Sequence, residues 1–214
     1  MCISSMMLFV SLWLLGPAVE PGPSLHVETE HRELGMILDQ NRVETTFELV
    51  NAGTAPLIIE KVMKSCGCMV VDLTEKTIQP GHSTVLVVEI NITNKGPWKK
   101  DFRILSNDPA HPELVVFVSG EHHDSIEYDP TKVIFERGQN QAEVAIISYL
   151  DLALELQVST FPPAIGTEVK SISSKQKTIT LSRPVEFKAG KHGFLTLETN
   201  VPKHPNIMIR IEFR

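Results

Sequence analysis

The chain has 214 residues, 26 acidic side chains against 20 basic ones, and a net charge of −6. That length allows one or two domains, and an apolar share of 42% is ordinary for a globular protein. The negative balance, with no basic stripe carrying interleaved aromatics, argues against nucleic acid as a partner.

Met6-Met7-Leu8-Phe9-Val10-Ser11-Leu12-Trp13-Leu14-Leu15 is a short, almost unbroken apolar run. It is too short to span a bilayer, which takes about 20 residues. Gly16-Pro17-Ala18 follows, with small residues where a signal peptidase reads. Residues 1–18 therefore read as a signal peptide, although no Lys or Arg precedes the run. The protein is expected to be exported, with no membrane span after cleavage. Cys2 would leave with the peptide, and Cys66 and Cys68 would be the cysteines of the mature chain. Residues 19–30, which include Pro21-Gly22-Pro23-Ser24, read as a linker.

From there short runs rich in Val, Ile, Thr and Phe alternate with Gly, Pro and Asn turns, the pattern of a β protein. In Val43–Leu49, positions Val43, Thr45, Phe47 and Leu49 fall on one face, with Glu44 and Glu48 on the other. Asn51-Ala52-Gly53 turns the chain, and Pro56–Val62 reads as a buried strand leading to Ser65-Cys66-Gly67-Cys68. Met69–Leu73 resumes the extended run. At Pro80-Gly81 the proline presets φ and the glycine accepts positive φ, a turn. Thr84–Ile92 is the clearest strand, with Leu86, Val88, Ile90 and Ile92 on one face. Phe102–Leu105 and Leu114–Val118 complete a first unit of roughly seven strands in about 100 residues, the count of an immunoglobulin-like sandwich. Glu121-His122-His123-Asp124-Ser125 reads as the junction. Lys132–Glu136, Glu143–Ser148, Leu152–Ser159, Thr178–Leu181, Phe194–Thr199 and Ile207–Phe213 read as strands of a second unit. The fold expected is all-β, two tandem immunoglobulin-like β-sandwich domains over 31–122 and 123–214.

An internal echo supports two copies of one fold. Ser106-Asn107-Asp108-Pro109-Ala110-His111-Pro112 recurs as Thr199-Asn200-Val201-Pro202-Lys203-His204-Pro205. Asn107, Pro109, Asn200 and Pro202 are read as structural turn residues, each Asn capping its own turn and the prolines setting the hairpin. His111 and His204 are read as structural with them.

The Cys-Gly-Cys stretch has no counterpart in the second half, whose corresponding region holds Ser159-Thr160-Phe161-Pro162-Pro163. Three readings of the thiols stand side by side. Cys66 and Cys68 form a disulfide or redox-labile pair, favoured by export. Its closed loop is so small that chain entropy contributes at most about 1.6 kcal/mol. Alternatively Cys66 and Cys68, flanked by Met63 and Met69, form a soft-metal site suited to Cu(I), with His82 as a further ligand. The third reading is plain packing. No nucleophile elbow, phosphate loop, zincin motif or dinucleotide fingerprint occurs, and no catalytic residue is assigned. Asn91-Ile92-Thr93 fits the N-glycosylation acceptor pattern.

Leu34-Gly35, Phe47–Gly53, Pro56–Ile59, Ser65–Cys68, Ile78-Gln79-Pro80-Gly81 and Ser106–Pro109 occur in the order and approximate spacing of a known series. Over roughly residues 31–120 the chain resembles the bacterial domain-of-unknown-function family fifteen seventy-three. The resemblance implies an immunoglobulin-like, Hydin- or sperm-protein-like sandwich, usually exported, and transfers no catalytic residue. His31–Gly35 departs from the family's more usual Asp-Phe-Gly-type start. The second half resembles the degenerate repeat that often follows this domain. The function expected is that of a non-enzymatic binding or assembly module, secreted or periplasmic in a bacterial envelope, whose partner is another envelope or surface protein. The alternative is a copper-binding or thiol-redox accessory protein using Cys66 and Cys68.

Overall fold

Residues 22–185 and 189–214 are described here from a computed structural model. The expected signal peptide, residues 1–18, lies outside them.

Period-two alternation becomes strands throughout, and no helix occurs among the described residues. The first half holds β1 (Leu25–Val27), β2 (His31–Leu38), β3 (Arg42–Asn51), β4 (Leu57–Lys64), β5 (Met69–Leu73), β6 (Thr77–Ile78), β7 (Ser83–Asn91), β8 (Gly96–Ser106) and β9 (Glu113–His123). The second holds β10 (Ile126–Asp129), β11 (Lys132–Phe135), β12 (Gln141–Ser148), β13 (Leu156–Phe161), β14 (Gly166–Ser171), β15 (Gln176–Ser182), β16 (His192–Thr199) and β17 (Asn206–Phe213).

Each half is a sandwich. In the first, a sheet ordered β1-β3-β7-β5 faces one ordered β2-β9-β8-β4-β6. In the second, β10-β12-β15-β14 faces β11-β17-β16-β13. Apart from β6, which has no counterpart among the described residues, the orders correspond strand for strand, including one parallel pair in each, β2 with β9 and β11 with β17. Two cores result. Phe47 and Phe102 meet edge to face at 5.4 Å in the first, and Phe135 stacks on Phe213 at 5.3 Å in the second. All four rings are buried, and each such side chain contributes about 1.5–3 kcal/mol.

The face assignments agree with the alternation: Thr45, Phe47, Leu49, Leu86, Val88, Ile90 and Ile92 are buried. At Pro80-Gly81 the amide of His82 donates to the carbonyl of Gln79, and Gly81 has φ 73°. This is the type II turn that the dipeptide dictates.

Three expectations need correction. The linker read over 19–30 contains β1, which pairs with Leu49–Asn51 of β3 and buries Leu25 and Val27 in the first core. Only two apolar residues in three mark it, too few for a periodicity. The strand expected over Leu152–Ser159 begins at Leu156. Its first part is held off any ladder: the Leu154 amide donates to Ser174 O, and Asn200 takes the backbone on either side. The third correction concerns the repeated asparagines, whose partners are not in their own turns.

Candidate functional site

The Cys-Gly-Cys bend joins two strands of opposite sheets, β5 at an edge and β4 covered on its outer side only by the two-residue β6. β4 is paired with β8 from Ile59 to Lys64 and with β6 only at Leu57 and Ile58. β5 is bonded to β7 alone. The bend leaves β4 where the Ser65 amide donates to Asp101 O, and enters β5 where the Asn91 amide donates to Cys68 O at 2.8 Å. Cys66 and Cys68 lie side by side with Cα atoms 5.3 Å apart, inside the range a disulfide requires. Both are half-buried against the first core. Gly67 keeps a negative-side φ, and a Cβ there would meet nothing. The bend therefore does not depend on glycine's freedom.

The two thioethers are not gathered around this pair. Met69 is wholly buried in the core, level with Ile90. Met63 sits on β4 opposite Arg103, on the sheet's outer side. His82 is corrected as a candidate ligand. It precedes β7, whose far end carries the Asn91–Cys68 bond, and nine residues of extended chain place it roughly 30 Å away. Its Nδ1 lies 3.1 Å from Pro80 O instead.

Between β4 and β5 the sandwich is open. A slot of about 340 Å³ is walled by Ile59, Val62, Val71, Leu73 and Leu86, with Glu60, Lys61, Asp72 and Lys76 at its rim. The Cys-Gly-Cys bend limits one end. The other is limited by the return to β6, where the Ile59 amide donates to Lys76 O at 2.7 Å. A register shift at Glu60 marks a bulge within β4. The slot lies at the lower end of the ~300–1,000 Å³ range of small-molecule sites, sized for a few side chains.

The echoed turns do the same work twice, in a way the sequence reading missed. Asn107 Oδ1 accepts from the Ile58 amide at 2.7 Å and its Nδ2 donates to Pro56 O at 3.2 Å. Asn200 Oδ1 accepts from the Glu155 amide at 3.0 Å and its Nδ2 donates to Ala153 O at 2.8 Å. Each side-chain amide thus imitates one peptide of a neighbouring strand and starts the edge strand that follows, β4 or β13. The turns are closed by other groups: Ser106 and Thr199 amides donate to Pro112 and Pro205 carbonyls. Pro109 and Pro202 sit inside those turns, as expected of them.

Between the echoed copies one position differs in kind. Val201 is an apolar core residue, whereas Asp108 is a buried carboxylate. Asp108 Oδ2 accepts from the Leu25 amide at 2.8 Å, and Oδ1 accepts from Ala110 at 2.8 Å and His111 at 3.2 Å. Burial alone would raise the Asp108 carboxyl; the three amides, with His111 nearby, outweigh it and hold it below the ordinary value. The charge thereby pins β1 to the first sandwich. Asn51, also buried, accepts from Ser24 and Gly53 and donates to Ala55 and Ile78 carbonyls, securing the same strand entry.

The junction histidines point to opposite sides of β9, as an extended chain requires. His122 Nδ1 meets Asn94 O at 3.1 Å. His123 stacks on Tyr149 at 4.0 Å, between Glu121 (2.9 Å) and Glu127 (3.2 Å). Across the junction, Asp39 accepts from the Ser125 amide at 2.7 Å and from His204 Nε2 at 3.1 Å, so His204 ties the second sandwich's turn to the first. On the outer face of β9, Ser119 Oγ lies 2.7 Å from His31 Nε2 and also bonds Glu33. Here the carboxylate sits on the serine, whereas a triad orients its base through the other ring nitrogen.

No curated protein matches the sequence. Solved structures of similar shape include the Vibrio cholerae protease VesB, with 15% identity, a TM-score of 0.40, and 45% of this chain covered. The chain spans only 31% of that protease. A protein of unknown function from Porphyromonas gingivalis W83 has 15% identity and a TM-score of 0.34, covering 89% of this chain and 99% of its own. The ASH / PapD-like domain 7 of human CEP192 has 10% identity and a TM-score of 0.39, covering 58% and 97%. At such identities no residue is carried across. Residues 25–121, which make up most of the first sandwich, match the family described as protein of unknown function (DUF1573).

Proposed function

We propose that the protein is an exported, non-enzymatic binding module of the bacterial cell envelope, and that the β4–β5 side of its first sandwich receives an extended segment of another envelope protein. One observation carries this: the edge strand β5 and the part of β4 beyond its short partner β6, on opposite sheets, border a single slot with apolar walls and a charged rim. An edge strand offers main-chain donors and acceptors to an added strand, and pockets beside it select alternate side chains. An extended segment with apolar residues at every second position satisfies both. The mixed rim of Glu60, Lys61, Asp72 and Lys76 favours no strongly charged segment of either sign.

On this reading Cys66 and Cys68 are a disulfide in the exported protein and hold the bend that sets the spacing of the two edges. Native protein titrated without reductant should show no free thiol. Cys66→Ser with Cys68→Ser should weaken partner binding while leaving the sandwich folded. If the native protein instead titrates two thiols and binds Cu(I) stoichiometrically, the copper reading replaces this one.

The docking test is site-specific photo-crosslinking in intact cells. A crosslinking residue at Lys61 should capture one discrete partner, and Val71→Asp on the slot wall should abolish the capture. The same probe at Lys170, on the edge strand β14 of the second sandwich, should capture nothing. Equal capture from both positions, or capture indifferent to Val71→Asp, overturns the proposal.

A further inference from the structure

We infer that the β13 edge of the second sandwich is a self-association surface whose partner is a second copy of this chain. The inference stands apart from the slot on the first sandwich.

Free sheet edges are normally protected from strand addition by charges, proline, bulges or shortness. Other edges in this chain follow the rule. β4 carries Glu60, Lys61 and Lys64 and a bulge, β5 carries Asp72, and β2 carries Arg32 and Glu33 with a register shift. β10 carries Glu127 and Asp129, β11 carries Lys132, and β14 carries Glu168 and Lys170. β1 and β6 have three and two residues. β13 has none of these devices. Leu156-Gln157-Val158-Ser159-Thr160-Phe161 contains no charge, proline or glycine, and pairs with β16 in unbroken register. No strand lies on its other side among the described residues. In the first sandwich the equivalent strand β4 is partly covered by β6; β13 has no such cover.

The face beside this edge carries exposed apolar side chains among polar ones. Phe161 is 68% exposed and pairs directly with Phe194, and Met208 on β17 is 65% exposed on the same face. Gln157, Ser159 and Phe161 are the outward side chains of β13.

A second copy fits this edge because Leu156–Phe161 carries no charge, so two copies pair along it with no like-charge contact within the ladder. A two-fold axis through Ser159 keeps the outward face outward in both copies. Gln157 then lies opposite Phe161, and Glu155 falls opposite Pro163, clear of its own counterpart. The pairing is isologous and closed. It merges two four-stranded sheets into one of eight strands and brings each Phe161 ring beside the other copy's Gln157. A six-residue ladder with one aromatic flank belongs among interfaces below ~1,200 Å², and the dimer should be reversible at micromolar concentrations.

Sedimentation velocity on the mature chain, from about 1 to 100 μM, should show a concentration-dependent monomer–dimer equilibrium, with at least a tenfold weaker constant in Ser159→Lys. That residue is exposed, and an unchanged melting temperature in the variant excludes misfolding as the cause. A cysteine introduced by Ser159→Cys should oxidise to a covalent dimer, because residues directly opposite across a strand pair have Cα atoms about 4.5–5.5 Å apart. Phe161→Cys alone should not. A strictly monomeric chain at 100 μM, a dimer untouched by Ser159→Lys, or equal crosslinking by Phe161→Cys overturns the inference.

Discussion

Replacing Asp108 by alanine tests whether one buried carboxylate fastens β1 to the first sandwich. Its three amide partners are Leu25, Ala110 and His111. A hydrogen bond to a charged group is worth about 1.5–3 kcal/mol, and a buried donor left unpaired loses its solvation as well. The Leu25 amide is buried and would recover no water; those of Ala110 and His111 lie in an exposed turn and would. The substitution should therefore destabilise the first sandwich by about 3 kcal/mol, most of it through Leu25. Urea unfolding followed by Trp98 fluorescence measures this, because Trp98 is the only tryptophan after residue 18. Hydrogen exchange should show Leu25–Val27 losing protection first. The pH dependence has a definite sign. A carboxyl held below its ordinary value contributes stability that is present above the unfolded pKa, about 3.9, and is lost as pH falls through the folded one. The gap between wild type and Asp108→Ala should accordingly shrink below about pH 4. A loss under about 1 kcal/mol with the Leu25 amide still protected would refute the reasoning.

His123 has the opposite sign: burial alone would lower its pKa, but Glu121 and Glu127 outweigh that and raise it. Its contribution is complete below the ordinary value near 6.5 and fades as pH rises through the folded one. The thermal midpoint of wild type should thus exceed that of His123→Gln by more at pH 6 than at pH 8.5, and a pH-independent gap would contradict the placement. Asn107→Ala and Asn200→Ala should each remove about 1 kcal/mol from different sandwiches and add in the double variant; strong non-additivity in denaturation curves would show that the turns are coupled. Gly193→Ala should lower stability by about 2 kcal/mol, since a Cβ there would press on the Phe161 carbonyl and stand 2.9 Å from Ile165 Cδ1; an unchanged melting temperature would mean the β13–β14 turn yields without cost.

Much of the fold was legible because a strand's side-chain period is two and is written locally. Phe47, Leu86 and Ile90 could be assigned to a core from their neighbours alone, and Pro80-Gly81 dictated its own turn. The 93-residue echo announced two copies of one connectivity through turn chemistry. The Cys-Gly-Cys bend was placed at a strand exit because the apolar run Pro56–Val62 leads directly into it.

What lay beyond the sequence was every choice of partner. The asparagine side chains of 107 and 200 bond backbone 45 to 51 residues away, and no local pattern distinguishes that from capping their own turns. β1 became a strand because β3 and the Asp108 carboxylate were there to receive it. Met69 turned inward and Met63 outward because a sheet has two faces and the β4 bulge changes which one a residue takes. Exposure of an edge is likewise a property of the assembled sheets: the residues of β4 and β13 say what could pair with them, but only their position at the margin leaves that pairing unmade. Alternation selects a face through sterics within a few residues, whereas hydrogen-bond partners are set by distant segments that meet only once the chain has closed.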